Sequence, residues 1–502
     1  MDQAYTLTVF TDDGSPITDI IGKICEGTRT DSEYESKPDL EKIKSLVIKK
    51  GDDEKRYKLS SPPFFIYGGL GIVFGLNDFV STHEDSHSDI QYVLKVDCPQ
   101  PGSTRFGLAM ETAISINDKF KQYADEHYYD NMMAQSYGSL SNEPNRTFAI
   151  YKYHGEELGN MIYGRISKRL TLKNEPVVKI FLRNVISCLR SFNRNFLIHN
   201  DFCTENLVFN KDTHEVVLVD LDTMTDLTNL SKSENCTFRL GRYDNGRQFY
   251  EVCPTPKPVD GVGCAEYQLK WGREFVPKMP HLLRFTKSDI NVLKKGDMVT
   301  RTSRETVMSL MMADRFGLFW VIIKILFTAI GYGEEQIERF FGIDYNRPET
   351  YTDFYNGIHD KKYENFRTEV ISLITDFTML DEDTKYITSE HFEDFIRVLL
   401  DLIKEDFSID NIAAFDALLN HPFLRVPEEG QSQLQDPLPP TLQIQDQSPL
   451  EDPQPVQANA GGSHKKKRRP ARINQRTKKR NTRNKQNRQN RTKKGQSKRA
   501  RK

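Results

Sequence analysis

Between residues 60 and 100 the chain follows the short period of strands. "FFIYGGLGIVFGL" (64–76) is rich in aromatic and β-branched residues, and the polar stretch "NDFVSTHEDSHSD" separates it from "IQYVLKVD" (90–97). Two such runs around a polar loop predict a hairpin with glycines near its start. "TFAIYKY" (147–153) predicts another strand, and "EVVLVDLD" (215–222) a buried strand that ends on two aspartates. Helical spacing governs elsewhere. Met110, Ala113 and Ile114 share one face of "TRFGLAMETAISINDKF", and Val178, Phe181, Leu182, Val185, Leu189 and Phe192 recur in steps of three and four until just before His199. The run "FGLFWVIIKILFTAIGY" (316–332) is apolar all round, too short for a membrane span and interrupted by Lys324, so it predicts a buried core helix. A helical texture extends over 314–424. Residues 224–313 are polar and irregular, and 1–60 mix charged and apolar segments, where "DLEKIKSLVIKK" suits a short helix or a strand.

Length and charge change this picture at the C-terminal end. At 502 residues the chain exceeds one average domain. Residues 465–502 hold 20 of its 70 Lys and Arg and no acidic residue, which leaves 50 basic against 71 acidic groups, a net of −21, on the rest. The stretch 426–464 is rich in Pro and Gln and predicts an extended, disordered linker into that basic tail. The seven cysteines are scattered and odd in number, without a C-x-x-C pair, so neither a disulfide framework nor a zinc site is expected. With a first segment, "MDQAYTLTVFTDDG", that lacks the basic and apolar regions of a secretory signal, this points to an intracellular, reducing compartment, cytoplasm or nucleus.

The chemistry-bearing residues come in a fixed order: a glycine turn between strands, a lysine on the next strand, the loop "HNDFCTEN" (199–206), and a strand-terminal aspartate. Phosphoryl transfer from a nucleotide needs backbone close to the phosphates, a cation on them, oxygen ligands for Mg²⁺ and a carboxylate that orients the attacking hydroxyl. The order and spacing over roughly residues 60–425 resemble the protein-kinase superfamily, eukaryotic-type and divergent. "IYGGLGIVF" resembles the glycine-rich loop G-x-G-x-x-G-x-V: Gly68 and Gly71 fall on its second and third glycines, Gly69 lies between them in the same nucleotide-binding turn, Val73 covers the adenine, and Ile66 stands where the first glycine is expected. The resemblance implies that Lys95 of "YVLK" contacts the α- and β-phosphates and pairs with Glu111 of "AMETAI", with Asp118 as a competitor. It makes Asp201 the catalytic aspartate, His199 the brace of its loop, and Asn206 and Asp220 the metal ligands. The adenine-binding hinge falls within Tyr151–Gly155. Asp314 resembles the helix aspartate that bonds back to the catalytic loop, and "HPF" (421–423) resembles the ending of protein-kinase domains.

The resemblance implies an α+β, bilobal protein-kinase-like fold: a small antiparallel β lobe at 61–155 and a mostly helical large lobe at 156–425, with an insertion at about 224–313 and an N-terminal extension at 1–60. The implied activity is ATP- and Mg²⁺-dependent transfer of the γ-phosphoryl group to Ser/Thr hydroxyls of protein substrates. Several positions depart from the family. Asn200 replaces the arginine of H-R-D, Cys203 the lysine typical of serine/threonine kinases, and Asp222 the glycine of D-F-G; "CAEY" (264–267) is the nearest match to A-P-E. Two readings of other classes stay open. One is a pseudokinase, a nucleotide-binding interaction module, which Ile66 and Cys203 favour; the other is a small-molecule phosphotransferase, which "VDLD" favours and "NHPFL" disfavours.

The tail 465–502 has almost no apolar residues to fold on, so it is expected to bind nucleic acid through phosphates, and "KKKRR" (465–469) to serve nuclear import. Basic tails on divergent kinases resemble those encoded by large DNA viruses, which would place the chain in a host cell or a virion. No membrane association is expected.

Overall fold

The long-range pairings of this computed structural model begin well before residue 61. Residues 5–425 are described in part. Segments 31–41, 61–64, 68–70, 80–89, 99–107, 122–128, 160–174, 257–263, 269–282, 330–340, most of 342–390, 404–411 and 426–502, with some shorter stretches, lie outside the described residues. The predicted linker and tail are therefore among those outside.

Strands β1 (Tyr5–Phe10), β2 (Ser45–Lys50), β3 (Asp53–Leu59), β4 (Phe65–Tyr67), β5 (Gly71–Asp78), β6 (Tyr92–Asp97), β7 (Ser136–Leu140) and β8 (Thr147–Lys152) form one eight-stranded sheet, in the order β3-β2-β1-β7-β8-β6-β5-β4. Because β3 pairs with both β2 and β5, the sheet closes on itself and leaves β4 beside β5. The segment expected as an N-terminal extension thus supplies three of the strands. The expected antiparallel sheet also contains one parallel pair, β1 with β7. The predicted hairpin is β5 with β6, in a register that sets Val73 opposite Lys95. Alternation fills the interior: Leu7, Val9, Leu46, Ile48, Ile72, Phe74, Leu94, Val96, Phe148 and Ile150 are all buried in one cluster with α1 (Ile20–Thr30).

Helix α2 (Leu108–Lys121) turns Ala113, Ile116 and Phe120 inward; of the predicted face Ala113 is buried, Ile114 only half-buried, and the Met110 side chain lies outside the described residues. Helix α3 (Glu175–Arg194) starts with Pro176 in its first turn, where the missing N–H costs nothing, and buries all six residues of its predicted stripe. Short strands follow: β9 (Glu156–Glu157), β11 (Leu207–Phe209) and β12 (Val216–Leu218) make one sheet, and β10 (Leu197–Ile198) pairs with β13 (Thr225–Asp226). Helix α5 (Ser303–Ala329) is buried on every side from Leu310 onward, as its uniform apolarity predicts. It packs with α3, α6 (Phe392–Leu402) and α7 (Ile412–Leu419) in the largest core cluster. Among the described residues no helix is long and apolar enough to cross a membrane.

Residues 224–313 depart from the irregular segment expected. Strands β14 (Asn235–Arg242), β15 (Gln248–Thr255), β16 (Ala265–Gln268) and β17 (Val299–Thr302) form a four-stranded antiparallel sheet. Phe238, Tyr250 and Val252 line its buried face, and the edge strand β16 takes up most of "CAEY". Helix α4 (Lys287–Lys294) is held by a capping box: the Thr286 hydroxyl accepts from Asp289 N at 3.1 Å, and the Asp289 carboxylate accepts from Thr286 N at 2.8 Å. These bonds to Thr286 hold the Asp289 carboxyl below its ordinary pKa, and Arg301 at 2.7 Å adds to the effect. The four-stranded sheet makes this half of the molecule less purely helical than expected.

The expectation of no disulfides is overturned as well. Cys25 is bonded to Cys98 and Cys253 to Cys264, while Cys188, Cys203 and Cys236 are not part of a disulfide. The partners of the first pair lie 73 residues apart, on α1 and just after β6, so only the tertiary fold brings them together.

Candidate active site

The loop 199–206 is positioned from beneath by α5. Asp314, fully buried on that helix, accepts from His199 N at 2.5 Å and from Asn200 N at 2.8 Å. Burial pushes its carboxyl up to about 6 against the pull of His199 and the two backbone donors, and Asp201 raises it slightly further. One turn on, Gly317 has no Cβ because the loop lies against it: a methyl there would meet the Phe202 carbonyl oxygen at 2.3 Å. Gly317→Ala is therefore expected to destabilise the fold by about 1–3 kcal/mol, read as a lowered denaturant midpoint. An unchanged midpoint would show that the loop yields freely.

Within the loop the histidine is the brace. His199 is buried; its Nδ1 accepts from Asp201 N at 3.3 Å, which leaves Nε2 to donate to the Val219 carbonyl at 2.9 Å and defines the tautomer. Asn200 sits in the left-handed region at φ 66°, which a short amide side chain tolerates, and its Nδ2 donates to Thr225 Oγ1 on β13 at 3.0 Å. In place of an arginine, this residue ties the loop to the neighbouring strand. Asn206 closes a 3₁₀ turn (Thr204–Asn206) and donates through Nδ2 to the Asp201 backbone carbonyl at 2.8 Å and carboxylate at 3.1 Å.

The second half of the site arrives on β12. Val219 N donates to the Asn206 carbonyl at 2.8 Å, so the residue after it is held beside the loop. That residue is Asp220, at φ 59°, whose carboxylate accepts from Lys95 Nζ at 2.8 Å. With side-chain exposures of 21% for Lys95 and 51% for Asp220, the pair contributes little stability. Its significance is positional, because it connects β6 of the large sheet to the loop on the helical side. Leu221 is buried in the helical core, and Asp222 lies outside the described residues.

The structure thus brings together Lys95, Asp201, Asn206 and Asp220, and places Val73 across from Lys95. Gly71 opens β5 so tightly that a Cβ would meet the Val96 carbonyl oxygen at 2.6 Å. Gly68 and Gly69 lie outside the described residues. Ile66 falls on β4 and Glu111 on α2, with their side chains outside them. In the expected hinge, Tyr153 N donates to the Gln91 carbonyl, and Gly155 at φ 122° passes against Phe209, where no side chain would fit. His154 between them is buried, and desolvation lowers its pKa.

Sequence reasoning missed the Asn200–Thr225 bond and Gly317. A lone glycine inside an apolar helical pattern was a readable sign of close backbone approach. No protein-family model and no curated protein matches the chain. Among solved structures it is similar to that of the Cydia pomonella granulovirus kinase PK-1, at a TM-score of 0.36 and 14% identity, over 74% of this chain and 95% of that one.

Proposed function

We propose that the chain is an ATP- and Mg²⁺-dependent protein kinase that transfers the γ-phosphoryl group to serine or threonine hydroxyls of protein substrates, with the large sheet and the helical core as its two lobes. One observation supports this above all. The Lys95 amine meets the Asp220 carboxylate at 2.8 Å, and Asp220 follows a residue bonded to the loop that pairs Asn206 with Asp201.

The donor set suits the ion. Mg²⁺ takes hard oxygens, and the Asp220 carboxylate and Asn206 amide oxygen supply them, since Asn206 Nδ2 is committed to Asp201. When bound, the metal neutralises charge on the nucleotide's phosphates. Lys95 has three N–H donors and can serve phosphate oxygens alongside Asp220. Glu111 would orient Lys95, and Ile66, Gly68, Gly69, Gly71 and Val73 would line the nucleotide. Asp201, oriented by the Asn206 amide, accepts the proton of the attacking hydroxyl.

Transfer of labelled phosphate from γ-labelled ATP, with and without chelator, to mixed proteins and to the chain itself tests this reading. Chelator-sensitive label on protein serine or threonine supports it. Nucleotide binding without transfer, or label only on small molecules, sinks it.

The basic tail belongs to the same proposal as a nucleic-acid-binding arm, and its lysine-rich start as a nuclear-import signal. Binding to DNA or RNA is expected to weaken steeply with salt, each neutralised phosphate adding about 0.7–0.9 to the log–log slope. Chain ending at residue 464 should lose most of this affinity; equal affinity would place binding elsewhere.

A further inference from the structure

A cleft of about 850 Å³ opens on the four-stranded sheet, at the turn end of the β14–β15 hairpin. Arg239 and Arg242 reach it from β14, and Lys294 and Lys295 from the end of α4. Phe249, whose ring covers Gly241, gives it apolar surface, and Glu251 is its single carboxylate. None of the four cations has a hydrogen-bond or ion-pair partner among the described residues, and all four side chains are exposed.

Two lysines at a helix C-terminus complement its dipole, which accounts for half of this charge. It does not account for two arginines facing them across a cleft with an aromatic wall. The net charge of +3 is also a local exception on a body that carries −21. The space is far larger than one phosphate and falls in the range of ligand sites. Phe249 favours carbon-bearing side chains, and the Glu251 carboxylate opposes a continuous polyphosphate while discrete acidic residues can pass beside it. We propose that this cleft binds an acidic peptide segment of a partner protein. The site is separate from Lys95, Asp201, Asn206 and Asp220, and its occupancy does not depend on phosphoryl transfer.

The test is fluorescence anisotropy on the full chain with a labelled Asp/Glu-rich peptide containing a few leucines, and with its Asn/Gln counterpart. Because the basic tail is present in every sample, the comparison is between the wild type and two variants, Arg239→Ala with Arg242→Ala, and Lys294→Ala with Lys295→Ala. Each pair is exposed, so thermal midpoints should hold. Each should weaken the acidic peptide roughly tenfold and leave the neutral one unchanged. Phe249→Ala should weaken it as well without altering charge. Unchanged affinity in both double variants overturns the proposal and assigns binding to the tail. Loss of single-stranded DNA binding with the peptide unaffected overturns it in favour of nucleic acid. Peptide binding that emerges only after removal of 426–464 overturns it in favour of the chain's own acidic linker.

Discussion

Asp201→Asn is expected to lower kcat by about 10²–10⁴-fold and leave nucleotide affinity unchanged. The asparagine keeps an oxygen that can accept from Asn206 Nδ2, which in the native chain reaches the Asp201 carboxylate at 3.1 Å. The backbone bonds that fix the loop do not involve this side chain: Asp201 N still donates to His199 Nδ1, and Asn206 Nδ2 still reaches the 201 carbonyl. On the proposed mechanism what is lost is the proton acceptor, and with it only the step in which the hydroxyl is deprotonated. Steady-state transfer rates combined with nucleotide titration would separate the two. Equal turnover in the variant would remove Asp201 from the chemistry, and a parallel loss of nucleotide affinity would make its role structural.

How much of this was legible depends on the distance over which each feature is encoded. The stripe of Val178, Phe181, Leu182, Val185, Leu189 and Phe192 is local, because a helix repeats every 3.6 residues, and all six are buried. The β5–β6 hairpin is nearly local, and its register across from Lys95 follows from alternation. The spacing within 199–206 was legible only through its resemblance to a family motif, and the structure puts the carboxylate and the amide that this spacing separates within hydrogen-bond reach. The strands before residue 61 were not legible. Their pairing of β1 with β7 spans more than 130 residues, and nothing in a charged run such as "DEKRYKL" marks a partner. The sheet at 235–302 was hidden by its composition, since only one face is buried and Arg239, Glu251 and the threonines dilute the apolar signal. Thr286 and Asp289, in contrast, carried a capping-box spacing that could have been read. The positive φ of Asp220, next to a Val219 bonded to both His199 and Asn206, has no mark in composition.

Asp314→Asn should separate activity from stability, with opposite dependence on pH. The native carboxylate accepts from two backbone N–H groups, and an amide can accept with only one of its two ends while its NH₂ confronts the other donor. The loop shifts, and a displacement of about 1 Å at Asp201 costs about 10²-fold in turnover. Protonation of native Asp314 removes an acceptor in the same way. Native activity should therefore fall as pH drops through about 6, the value to which burial raises this carboxyl. Stability runs the other way. A folded-state pKa above the unfolded value of 3.8 means that Asp314 favours folding most fully below pH 3.8, and that this contribution is lost as pH rises through about 6. The swing is on the order of 3 kcal/mol, from the gap between 3.8 and about 6 at about 1.36 kcal/mol per pH unit. The variant has no such proton to bind, so its turnover should sit near the native acid plateau without the inflection, and the unfolding free energies of the two proteins, similar near pH 4, should diverge towards pH 7 as the native chain loses this contribution. Pairing kcat profiles with denaturant titrations across that range measures both. An inflection that survives in the variant would assign it to another group, and a stability difference that does not change with pH would mean that Asp314 stays ionised throughout.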